Sequence, residues 1–154
     1  MLAMPTTDRP RPSAALAFLA AGGVWFLVAG LYGLAGAVHL MAPEFFNNIP
    51  WLVFGRTRPV HVNTMLFGFV AGSLMGAALH YVPALLRTKL WSPRLAWVSF
   101  VLWQAAVLSG PITFAFGITQ AREYTEYIWP FDVCVVLAVG TLIVNLLMTL
   151  ARRR

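Results

Sequence analysis

The chain is poor in charge. Only 10% of its 154 residues are Asp, Glu, Lys or Arg, and just five of those are acidic. A soluble domain carries roughly 25% charged residues, so a water-soluble enzyme is excluded. Disorder is excluded too, because 60% of the residues are apolar and disordered chains are apolar-poor. There is one cysteine, Cys134, which rules out an internal disulfide framework, a CxxC site and a CxxCH attachment for covalent haem. No glycine-rich phosphate loop, GxSxG or HExxH is present, which removes the commonest nucleotide, serine-hydrolase and zinc-peptidase chemistries. No repeat or low-complexity tract is present.

What is abundant is long apolar sequence, with a mean hydropathy of +0.76. A membrane-spanning helix takes about 20 apolar residues. The fold class expected is an all-α membrane protein of four transmembrane helices. Residues 1–12 form a polar tail, and the membrane domain occupies 13–154, with spans at about 13–41, 60–86, 95–118 and 131–150. The tail is no signal peptide, because the apolar run behind it is too long and no small-residue cleavage site follows. Helices are required because backbone groups in hydrocarbon must pair within their own segment, and these runs exceed the length of a barrel strand. Ala42–Pro59 is expected as a loop, and Thr119–Pro130 as a second polar and aromatic loop at the same end.

The net charge of +6 would suggest nucleic acid were it spread over a surface, but the charges collect at span ends. Arg9, Arg11, Arg87, Lys89, Arg94, Arg152, Arg153 and Arg154 share one side with Asp8. Arg56, Arg58 and Arg122 share the other with Glu44, Glu123, Glu126 and Asp132. The positive-inside rule then puts both termini in the cytoplasm. Trp51, Trp91 and Trp129 flank the spans as interfacial anchors. The expected location is a bacterial inner membrane, crossed several times, with lipid and not nucleic acid as the surrounding partner.

Intramembrane ionisable residues are functional candidates. His61 lies just inside the second span, and neutral imidazole is the usual protein ligand to haem iron. At 100° per residue, Met65, Gly68, Gly72 and Gly76 fall within about 60° of the His61 direction. That strip is read as a flat groove for a porphyrin, against the alternative of a small-residue helix-packing face. Arg56 and Arg58 stand just outside His61, placed to bind carboxylates bidentately, against the alternative of interfacial snorkelling. Glu123 and Glu126, at i and i+3, are read as a pair able to share a hard cation such as calcium if other oxygens join them, against a solvated loop. His39 is expected to be an interfacial or hydrogen-bonding histidine. His80, about 100° around the helix and near the other membrane face, cannot share an iron with His61. Asn145 is read as interhelical glue and Cys134 as inert.

Two strings carry a family resemblance. GRTRPVHVNTMLFGF (Gly55–Phe69) resembles the opening of the second helix of the catalytic subunit of cbb3-type cytochrome c oxidases, in the haem-copper oxidase superfamily. TQAREYTEYIWPFDV (Thr119–Val133) resembles a later periplasmic-side segment of the same subunit, with its E-Y-x-E and W-P-x-D elements. Nitric oxide reductases share the R-x-x-H-x-N element less fully. The resemblance implies that His61 is an axial ligand of a low-spin haem b, with Arg56 and Arg58 beside its propionates. It places Glu123 and Glu126 near those propionates, where the family has calcium, and makes Tyr124, Trp129 and Asp132 the frame of that loop. It also implies electron transfer, with a c-type cytochrome as donor.

The family subunit has about twelve helices, and three histidines cannot supply the high-spin haem and copper ligands. The chain alone therefore lacks the oxygen-reducing site. It is expected to be a fragment, one piece of a split subunit, or a small relative that kept the outer haem pocket; the closing Arg152–Arg154 run reads as a natural stop. The second axial ligand is expected from another copy or from a chain carrying the remaining helices. The competing function is a haem-free structural or assembly subunit of a respiratory oxidase or nitric oxide reductase complex.

Overall fold

The computed structural model describes residues 13–46, 48–120, 122 and 126–152. Four helices in it are long and apolar enough to cross a membrane: α1 (Ala14–Met41), α2 (Phe54–Leu85), α3 (Pro93–Ala115) and α4 (Trp129–Ala151). No strand occurs among the described residues. The helix starts are locally encoded. Ser13 caps α1 by accepting from Leu16 N at 3.2 Å, and Ser92 caps α3 by accepting from Leu95 N at 3.2 Å; each satisfies an amide that the helix itself leaves orphaned. Pro93 and Pro130 sit in first turns, where a missing N–H costs nothing. Gly117, at φ 76°, ends α3 in the left-handed conformation that only glycine adopts cheaply.

The second helix differs from expectation. It begins at Phe54, not near Val60, so the connection from α1 is shorter than Ala42–Pro59 and holds two 3-10 turns, Pro43–Phe46 and Pro50–Leu52. Arg56, Arg58 and Pro59 are therefore helical. The helix closes its first turn on Val53, whose carbonyl accepts from Arg56 N at 2.9 Å and from Thr57 N at 3.0 Å, and Pro59, inside the helix, forfeits the one amide bond it would have made. Further along, α2 widens into a π segment over Thr64–Ala71 before resuming as an α-helix at Gly72. Two side chains at its start take carbonyls of the ladder: Asn63 Nδ2 donates to Pro59 O at 2.9 Å, and Thr64 Oγ1 donates to Val60 O at 2.6 Å. Side chains that occupy i−4 carbonyls in this way loosen and bend a helix. The widened turn leaves the Phe67 carbonyl accessible, and Trp103 Nε1 on α3 donates to it at 3.1 Å.

In lipid, helices are held by close packing and interhelical hydrogen bonds more than by burial of apolar area. The α1–α2 contact uses glycines from both helices, since a Cβ on Gly22 would meet Ser73, one on Gly68 would meet Trp25, and one on Gly76 would meet Phe18. Trp25 Nε1 donates to Gln104 Oε1 at 2.8 Å, which ties α1 to α3. At the far end, Asn145 pairs reciprocally with Ser92: its Oδ1 accepts from Ser92 N at 3.0 Å and its Nδ2 donates to Ser92 O at 2.8 Å. Thr149 Oγ1 accepts from Trp91 N at 3.0 Å. Asn145 thus joins α4 to the turn before α3, the glue role read from its sequence. The main core runs through Phe18, Trp25, Met75, Trp103 and Leu142, and a smaller one of Val60, Phe114 and Tyr127 lies at the His61 end.

Candidate functional site

The candidate site is the end of the bundle where the start of α2 meets α1 and the 116–128 connection. His61 is half-buried against α1. Its Nδ1 lies 2.7 Å from the carbonyl oxygen of Ala29. A carbonyl only accepts, so Nδ1 carries the hydrogen, and in the neutral ring Nε2 is left as the nitrogen with the lone pair. Metal-ligating histidines are commonly oriented in this way, by a backbone carbonyl on the other ring nitrogen. The ring can come this close because position 33 is glycine: a Cβ there would lie 2.7 Å from His61 Nδ1. Beside it is a cleft of about 190 Å³ lined by Tyr32, Gly33, Gly36, Phe54, Arg58 and His61, among others.

The two arginines do different things. Arg56 donates from Nη1 to the carbonyl of Ala115 at 2.5 Å, so it caps the C-terminal end of α3, where a cation also suits the helix dipole. Arg58 lines the His61 cleft and also a larger pocket of about 450 Å³, whose other walls include Gly55, Thr119, Arg122 and Glu126. Arg58 and Arg122 thus face one space. Arg122 enters the sequence argument only as a charge, and Gly33 not at all; the single signal for Gly33 is its spacing from Gly36, which also packs closely on α2 at Thr57.

Glu126 is 8% exposed and accepts from Asn63 Nδ2 at 2.7 Å. Glu123 and Tyr124 lie outside the described residues. Among the described residues no three His, Cys, Asp or Glu side chains converge as a metal site would require. Gln120 is tied to the residues before α4: its backbone N–H donates to Glu126 O at 3.2 Å. The Gln120 side-chain amide donates to Tyr127 O and, at 2.8 Å, to Asp132 Oδ2. Tyr127 is buried on Phe67 and Phe114. Burial, and then the nearby carboxylates of Glu126 and Asp132, push its phenol well above the ordinary value.

The glycine stripe below His61 does not form one open groove. Gly68 packs against the Trp25 ring of α1, whereas a Cβ on Gly72 would meet Trp103 of α3 at 3.4 Å. The 100° step assumed for the stripe fails across Thr64–Ala71, where the wider turn advances each residue less. His39 lies six residues beyond Gly33 along α1, about 9 Å of rise, and its Nδ1 is buried with no hydrogen-bond partner. His80 is exposed, next to a different pocket bounded by Leu79 and Trp97.

The chain is similar to known proteins over most of its length. The chain is 33% identical over 131 residues to cbb3-type cytochrome c oxidase subunit CcoN1 of Stutzerimonas stutzeri, covering 85% of this chain and 28% of that protein. It is 29% identical over 134 residues to cytochrome c oxidase subunit 1 of Rhodobacter capsulatus, covering 86% and 25%. It is 28% identical over 130 residues to a cytochrome c oxidase subunit 1 homolog of Agrobacterium tumefaciens (strain T37), covering 84% and 24%. The chain therefore spans about a quarter of the length of these relatives. Residues 13–154 match the family described as Cytochrome C and Quinol oxidase polypeptide I. With four membrane-length helices and a family match over all but its first twelve residues, this chain belongs to the cytochrome c and quinol oxidase polypeptide I family and is a membrane protein.

Proposed function

We propose that this chain is the haem-holding part of a respiratory oxidase of the bacterial inner membrane, with His61 as an axial ligand of a low-spin haem b. The observation that carries this reading is the Nδ1 contact of His61 with Ala29 O at 2.7 Å, which leaves Nε2 as the donor nitrogen beside a cleft. The residues at the polar end suit the ligand and the propionates of such a group. His61 supplies the ligand, while Arg58, with Arg122 across the larger pocket, supplies positive charge for propionates at the polar end. Arg56 acts through α3, by holding the end of that helix in place. Bound haem supplies reversible one-electron oxidation and reduction of its iron. Of the glutamate pair read for calcium, the described residues include Glu126, whose Oε2 already accepts from Asn63, and no step is drawn through that ion.

The electron donor in this reading is a c-type cytochrome. The partner is a second copy or a chain carrying the remaining oxidase-like helices, because one chain places one histidine at the cleft. Both termini face the cytoplasm, which follows from the distribution of basic residues. A cysteine introduced at Asn48 is then labelled by an impermeant reagent in intact cells, and one at Thr88 is protected; the reverse pattern rejects the orientation.

A specific observation favours a second reading, a haem-free helper. Gly68, Gly72 and Gly76, which a porphyrin lying along α2 would need, are covered by Trp25, Trp103 and Phe18. A reduced-minus-oxidised absorption spectrum of the purified chain separates the two. A haem b band in the assembled form, lost when the chain is diluted to monomer, supports the first. No band in any oligomeric state supports the second. A low-spin band that persists in monomer and disappears in His39→Ala would replace the shared site by an internal His39–His61 pair.

A further inference from the structure

We propose that Gly33 is a positioning residue that sets the tautomer of His61. A free neutral imidazole prefers its hydrogen on Nε2, and that form has no lone pair on Nε2 to offer a metal. His61 is held in the other form by one acceptor, the carbonyl of Ala29 at 2.7 Å from Nδ1. As a helix carbonyl, Ala29 O has two lone pairs and can accept from the imidazole while serving its own helix.

The contact requires the ring to lie against the α1 backbone. A Cβ at position 33 would come within 2.7 Å of Nδ1 and 2.8 Å of Cε1. Neither atom can be moved independently of the ring, and the ring cannot swing aside without losing Ala29 O. Any side chain at position 33 therefore displaces the imidazole and frees Nδ1 from its acceptor. Gly30, also on α1, has nothing within 4 Å of the equivalent Cβ position. An alanine there changes the composition of the helix in the same way without touching the histidine.

The tautomer is a property of this chain's own residues. Its consequence for a metal rests on the haem reading above. A glycine in a membrane helix usually serves close helix packing; here the group packed against it is the imidazole itself, so its loss changes chemistry as well as contact.

The test is nitrogen-15 NMR of histidine-labelled chain in detergent micelles, with the His61 signals assigned by their absence in His61→Ala. The proposal expects His61 in wild type to show a protonated Nδ1 and a pyridine-type Nε2. Gly30→Ala keeps that pattern, and Gly33→Ala moves the ring to the Nε2–H form or to a mixture. In a separate haem titration of the assembled form, Gly33→Ala weakens binding about 10–100-fold, the usual cost of losing the partner that orients a ligand, and Gly30→Ala does not. A wild-type His61 protonated on Nε2, or a Gly33→Ala spectrum identical to wild type, overturns the proposal. Absence of haem binding in the assembled wild type, with the expected tautomers, overturns the haem reading and leaves the positioning role standing.

Discussion

Asn63 and Glu126 meet at 2.7 Å, Nδ2 to Oε2, inside the protein and 63 positions apart in the chain. One amide group thereby links the first half of α2 to the connection before α4, two residues from His61. The other hydrogen of the same amide goes to Pro59 O at 2.9 Å, so the asparagine is fixed from both sides. Hydrogen bonds to a charged group contribute about 1.5–3 kcal/mol, and Glu126 is almost fully buried. Asn63→Ala should lower stability in detergent unfolding by about that amount, and Asn63→Asp, which puts two carboxylates together, by more. The combination with Glu126→Gln should cost clearly less than the sum of the single changes. Additive effects would mean that the pair is not coupled.

Tyr127 gives a pH dependence with a defined sign. Its phenol is held above the ordinary value of 10.0 by burial, then by Glu126 and Asp132. The folded state therefore keeps a proton that the unfolded chain loses, and stability falls as pH rises above about 10, by up to about 1.4 kcal/mol per pH unit from this group. Below that pH the shift contributes fully. Tyr127→Phe should remove this part of the alkaline loss. It should cost little near neutral pH, because the Tyr127 hydroxyl has no hydrogen-bond partner. Equal alkaline slopes in the two proteins would contradict the assignment.

Arg56 and Arg58 should separate by readout. Arg56→Ala uncaps the Ala115 carbonyl and should reduce unfolding stability by about 1.5–3 kcal/mol. Arg58→Ala should lower the haem midpoint potential, since a positive charge beside the haem disfavours the oxidised, more positive iron. An unchanged potential in Arg58→Ala would leave this arginine at the headgroups only.

Much of the architecture was legible because hydrocarbon admits few solutions. The apolar runs around α1, α3 and α4 show as helices on length and apolarity alone, with ends that Ser13, Ser92 and Pro130 mark. The start of α2 was hidden because Arg56, Arg58 and Pro59 look like loop residues, whereas together they occupy a helical turn outside the apolar run. The π segment was not visible in apolar periodicity, because it follows from Asn63 and Thr64 turning back onto Pro59 and Val60. Gly72, counted onto the His61 face in 100° steps, lies instead against Trp103 of α3. His61 and Arg58 were legible as a histidine and a cation at one span end. Gly33 and the Ala29 carbonyl were not, because a contact 32 residues away leaves no trace in local pattern.

The central claim is that His61 holds the iron of a low-spin haem b, and the most direct measurement is a reduced-minus-oxidised spectrum of three single variants purified from membranes with whatever chains accompany them. The account predicts that His61→Ala inserts normally and loses the haem band, while His39→Ala and His80→Ala keep most of it. A band of undiminished size in His61→Ala would contradict the account.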